Sequence, residues 1–192
     1  MGTTGRYYNI RDKIQMKEKT RVFIKNAIGS SFGLGFAPIL PGSFGTLPGV
    51  LLHYLFTLYT TDLIMQLIFL IVYFLIISII HYKLTAWAVV YYNDNDPSQF
   101  VLDEIVGYLY TQIQFIILLL IFNPAFSHTV YSTNKMIIWG FILFRILDMI
   151  KIPPAWQVDK KMHNATGIIL DDIISGAYAS LVLYGLFYYA FI

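Results

Sequence analysis

Residues 103–122 read DEIVGYLYTQIQFIILLLIF: two acids, then eighteen residues interrupted by polar side chains only at Thr111, Gln112 and Gln114. About 20 apolar residues in a helix cross the roughly 30 Å hydrocarbon core of a bilayer. The stretch therefore reads as a membrane span that opens on Asp103-Glu104. Ionisable groups near the centre of such a helix cost on the order of 2.5–3.5 kcal/mol each. Two further acidic clusters adjoin apolar stretches in the same way: Asp148, inside Arg145-x-x-Asp148-x-x-Lys151, and Asp171-Asp172.

The rest of the chain supports a membrane protein. Of 192 residues, 57% are apolar and 12% charged, about half the charge of a typical soluble domain. Cysteine is absent, which excludes disulfides, thiolate zinc sites and a cysteine-nucleophile phosphatase. Leu63–Ile80 is a second direct span, and Ile173–Ile192 carries no charge at all. Leu47–Tyr59 is shorter and draws on the Gly- and Pro-rich stretch before it. Met136–Ile150 carries Arg145 and Asp148 near its end, which must face protein or water. The expected fold is an all-α integral membrane protein, a compact bundle of about five transmembrane or re-entrant helices.

Seven of the thirteen Lys and Arg fall within residues 1–25, against Asp12 and Glu18. The positive-inside rule puts that head in the cytoplasm. Residues 1–28 read as a basic cytoplasmic segment and 29–192 as one membrane-embedded domain. With five spans, Asp62 and the Asn123–Lys135 loop lie outside, while Gly29–Thr46, Lys83–Glu104 and Lys151–Asp172 lie inside. Asp103-Glu104 opens one helix, Asp148 closes another and Asp171-Asp172 opens the last. All three clusters then meet at the cytoplasmic face.

Gathered carboxylates repel unless a cation holds them, and hard oxygen ligands suit Mg²⁺, Mn²⁺ or Ca²⁺. The competing reading of Asp103 and of Asp171-Asp172 is helix N-capping. Arg145 and Asp148, at i and i+3, can simply neutralise each other; alternatively Arg145 and Lys151 hold a phosphate. The stretch from Gly33 to Thr46 can aim backbone N–H groups at an anion or serve as a tight helix contact. It is no P-loop, because no Gly-Lys-Ser/Thr follows. Asp94-x-Asp96-x-Ser98 reads as an acidic loop, and His163 is a candidate general acid.

Four ordered motifs together resemble the phosphatidylglycerophosphatase A family. They are Gly33-Leu-Gly-Phe-Ala-Pro-x-x-Pro-Gly-Ser-x-Gly-Thr46, Asp96-Pro97 with Asp103-Glu104-x-x-Gly107, Phe144-Arg-x-x-Asp148-x-x-Lys151 with Pro153, and His163 followed by Gly167-Ile-x-x-Asp171-Asp172-x-x-x-Gly176. The resemblance implies a Mg²⁺-dependent enzyme of the bacterial inner membrane that hydrolyses phosphatidylglycerophosphate. On that reading Glu104, Asp171 and Asp172 are the leading metal ligands, with Asp103 and Asp148 next. Arg145, Lys151 and the segment Gly42, Ser43, Gly45 and Thr46 hold the phosphate, and His163 protonates the leaving oxygen. Membrane lipid is the expected partner, and no nucleic acid. The rival reading is a non-enzymatic ion carrier or assembly subunit whose acids bind cations.

Overall fold

A computed structural model describes residues 4–123, 133–162 and 164–190, with side chains from Met16 onward. The described residues are helical, with seven α-helices: α1 (Thr4–Gly29), α2 (Pro41–Tyr59), α3 (Leu63–Tyr92), α4 (Leu102–Phe122), α5 (Thr133–Ile150), α6 (Ala155–Lys161) and α7 (Ala165–Ala190). A short 3₁₀ turn, Leu34–Phe36, lies between α1 and α2.

Local chemistry sets the helix ends. Pro41 takes the first position of α2, where its missing N–H costs nothing. Asp62 caps α3 by accepting the Met65 N–H at 2.8 Å. Asn93, with φ 54°, ends it in the left-handed conformation that Asn tolerates. The loop between α3 and α4 is thus Asn93–Val101, shorter than the sequence suggests. Asn164 caps α7, accepting the Gly167 N–H at 2.8 Å.

Among the described residues, three helices are long and apolar enough to cross a membrane: α3, α4 and α7. The other two expected spans are helices but weaker candidates. α2 opens on Pro41-Gly-Ser-Phe-Gly-Thr-Leu-Pro48, and α5 carries Lys135, Arg145 and Asp148.

α4 is the central post, touching α2, α3, α5 and α7. Tyr108, Leu109, Phe115 and Ile116 on it are fully buried, against Leu70 of α3, Phe144 of α5 and Ala179 of α7. Small residues set how closely the helices approach, as in membrane bundles generally. A Cβ on Gly176 of α7 would stand 2.6 Å from the Gly107 carbonyl of α4, and one on Gly49 of α2 would stand 2.8 Å from Ile105. The α3 side chains Ile64, Ile68, Val72, Leu75 and Ile79 form an exposed stripe at helical spacing, the pattern of a lipid-facing surface.

One end of this bundle gathers the helix termini that matter. The Val101 N–H bonds the Gly29 carbonyl at 3.0 Å, tying the entry of α4 to the end of α1. A Cβ on Gly35 would strike the Gln99 backbone, so only glycine lets that turn close on the same loop. Asp103 and Glu104 are held in place by both contacts.

Candidate active site

At that end the starts of α2, α4 and α7 meet the end of α5. Arg145 is the hub. Its Nη1 donates to Asp148 Oδ2 at 2.9 Å and lies 3.3 Å from Glu104 Oε2, and its Nε donates to Ser43 Oγ at 3.1 Å. One guanidinium therefore links α2, α4 and α5. Thr46 donates to the Gly42 carbonyl at 2.7 Å and stands 3.5 Å from Glu104 Oε2. A Cβ on Gly42 would collide with the Glu104 carboxylate. That glycine makes room for the acid.

Lys151 forms a second hub. It closes α5 with φ 48°, a left-handed conformation costing a non-glycine residue of order 1–3 kcal/mol. The turn aims its Nζ at Asp159 Oδ1, 2.6 Å away, and Asp171 Oδ2, 2.8 Å away. Burial pulls the Lys151 pKa down, but the bonds to Asp159 and Asp171 outweigh it, and the net shift is upward. A raised lysine pKa contributes stability that is fully present below the unfolded value of 10.5 and fades only as pH climbs through the higher folded value. Lys151 thus stays charged throughout the neutral range.

Three acids of the cluster are incompletely satisfied. Asp103, Asp171 and Asp172 are at most 7% exposed. Each keeps a buried carboxylate oxygen with no hydrogen-bond partner: Oδ1 of Asp103, Oδ1 of Asp171 and Oδ2 of Asp172. Asp172 faces Asp148, with Asp103 and Asp171 also within electrostatic reach. Buried charged oxygens left unpaired are costly and rare. Their concentration in one place is the chemistry of a cation site. Yet among the described residues no three acids or histidines already stand together as a ready metal centre. The carboxylates are donors of the kind a hard divalent cation takes.

The expected residues therefore converge: Asp103, Glu104, Arg145, Asp148, Lys151, Asp171 and Asp172, with Gly42, Ser43 and Thr46 alongside. Two details differ from the sequence reading. Asp171 and Asp172 do not open α7, which begins at Ala165; they sit in its second turn, and Asn164 does the capping. The segment Gly42–Thr46 is the first turns of α2 and not a loop. Its glycines make close contacts, Gly42 with Glu104 and Gly45 with Val101, while the first-turn N–H groups of α2 are left without helical partners. Ser43 accepts from Arg145. His163 lies outside the described residues.

Asp159 is the member that sequence reasoning missed. It reaches Lys151 only because the connection through Pro153 and Pro154 folds α6 back, with the Pro153 carbonyl accepting from Tyr178 of α7 at 2.9 Å.

Comparison with known proteins places the chain in a family. The profile of a family described as PgpA: Phosphatidylglycerophosphatase A matches residues 27–187. The chain belongs to the phosphatidylglycerophosphatase A family. It is similar to Phosphatidylglycerophosphatase A of Haemophilus influenzae, 32% identical over 82% of this chain and 85% of the relative. It is also similar to the protein of that name in Escherichia coli, 28% identical over 86% of this chain and 87% of the relative. A Bacteroides thetaiotaomicron relative, 29% identical over 84% of this chain and 92% of its own length, is provisionally named a phosphatidylinositol-3-phosphatase. No solved structure shows a significant match. Membership of this family identifies the chain as an enzyme, a phosphatase, and sets aside the ion-carrier reading. The matched span takes in every acid and base of the cluster.

Proposed function

We propose that the enzyme hydrolyses the terminal phosphomonoester of phosphatidylglycerophosphate, releasing phosphatidylglycerol and inorganic phosphate. The site would lie at the cytoplasmic face of a bacterial inner membrane. The observation that carries the reading is the trio of unpartnered buried carboxylate oxygens beside Arg145 and Lys151, in a chain of this family. Asp103, Asp171 and Asp172, with Glu104 and Asp148, are the residues to hold Mg²⁺. When bound, the ion supplies Lewis-acid polarisation of phosphoryl oxygens and lowers the pKa of a bound water.

The chain's own groups account for the rest. Arg145 presents a planar donor set suited to two phosphate oxygens, after exchanging a contact with Asp148 or Ser43. Lys151 offers a point charge, already aimed by Asp159. In the hydrolysis a P–O bond to water forms as the bond to the glycerol oxygen breaks. The attacking water gives its proton to a carboxylate of the cluster, and His163 supplies one to the leaving oxygen.

A phosphate-release assay in mixed micelles tests this. Turnover is expected with Mg²⁺ and lost with EDTA, and D171N and D172N should each reduce it about 100-fold or more while helical content and a cooperative unfolding transition are kept. Turnover indifferent to chelation, or near-normal rates in both variants, would refute the mechanism. The Bacteroides relative's name favours a second substrate of the same chemistry. Phosphatidylinositol 3-phosphate belongs in the same assay, with a lower kcat/KM expected.

A further inference from the structure

An open groove of about 890 Å³ runs between α2 and α5, within the range of roughly 300–1,000 Å³ typical of small-ligand sites. Its lining contains no charged side chain. On α2, Leu47, Leu51 and Leu55 line it at four-residue spacing, and Ser43 is the preceding member of the same series. Ile138 lines it from α5, the helix that carries Arg145, and Phe32 joins the lining. Leu51 and Ile138 are 56% and 54% exposed, so no described residue covers them.

On α2 the groove thus begins one helical turn beyond Ser43, between the two helices that the Ser43–Arg145 bond joins. From Ser43 to Leu55 the helix rises about 18 Å at 1.5 Å per residue. That is on the order of one leaflet of a hydrocarbon core roughly 30 Å thick. The groove lines the Leu47–Leu55 part of that rise; an uncharged slot open sideways, with the Ser43–Arg145 pair one turn beyond it, suits a lipid lying with its head at the site. A hydroxyl and a guanidinium stand beyond its head, and below them the walls are mostly aliphatic, with Tyr54 and Asn134 the polar side chains among them.

We infer that the α2–α5 groove holds one acyl chain of the lipid substrate, setting the depth at which its phosphate meets Arg145. This rests on the proposed function and adds a subsite to it. Filling the slot should cost affinity for long chains and leave the chemistry intact. L51W and I138W place a larger side chain on exposed groove positions, so folding is little affected.

The measurement compares phosphate release from dioleoyl and dibutyryl phosphatidylglycerophosphate at fixed detergent concentration. KM for the dioleoyl substrate should rise roughly tenfold in both variants, about 1.4 kcal/mol of lost binding, while dibutyryl turnover stays at the wild-type value. Equal losses on both substrates would make the residues structural and overturn the inference, as would unchanged kinetics on both. A change in oligomeric state by light scattering would mark the groove as a contact between copies and overturn it too. Should the wild-type enzyme release phosphate from neither lipid, the functional reading fails separately. Quenching of the fluorescence added in L51W then decides the groove by itself. Brominated-chain phosphatidylglycerophosphate should quench it more than brominated phosphatidylcholine at equal mole fraction; equal quenching would overturn the subsite.

Discussion

α3 and α4 are neighbours that both qualify as membrane spans, yet they live in opposite surroundings. The most apolar window of α3 has a mean hydropathy of 2.9 and is 11% buried in protein; that of α4 has 2.0 and is 61% buried. In a soluble protein the more hydrophobic helix would sit at the core. Here lipid takes the hydrophobic helix, and the interior takes the one carrying Gly107, Thr111 and Gln112. Inside a bilayer there is no hydrophobic gain in packing one apolar helix on another, so close fit and polar contact decide which helix is central. The same rule lets Glu104 sit at the head of α4, where Arg145 of α5 and Thr46 of α2 meet it.

The largest expected effect probes the buried side of this contrast. Phe115→Ala empties a fully buried position packed edge-on to Phe187 and should cost about 3–5 kcal/mol, read as a lower unfolding midpoint in SDS titration. Gly42→Val tests the crossing of α2 and α4. The added side chain meets the Glu104 carboxylate, and displacing that group by even an ångström should lower kcat about 100-fold with the bundle still folded. Ile76→Ala, on the half-exposed face of α3, should shift stability by no more than about 0.5 kcal/mol. If Ile76→Ala cost as much as Phe115→Ala, α3 would have to be covered by something other than lipid.

Much of this was legible in the sequence because lipid makes charge conspicuous. Asp103, Glu104, Asp148, Asp171 and Asp172 stand out against apolar runs, and alternating the spans carries them to one end. The apolar length of α3, α4 and α7 could be read directly. What could not be read depends on tertiary contact. Capping and metal ligation look alike for Asp171-Asp172 until the start of α7 is known, and Asn164, seven residues before Asp171, fixes it. Gly42 and Gly45 suit an anion loop or a helix crossing equally well by spacing. Their close approach to Glu104 and Val101 becomes visible only in the fold. Asp159 had no local signal, since its partner Lys151 is reached by a fold-back through α6.

The central claim is that the buried acids at the head of α4 and in the second turn of α7 hold a divalent cation. Mn²⁺ binding to the detergent-purified protein, followed by electron paramagnetic resonance, tests it without relying on turnover. The wild-type protein should bind Mn²⁺ in competition with Mg²⁺, and D171N/D172N should lose that binding while keeping its helical content. Undiminished Mn²⁺ binding by the double variant would contradict the account.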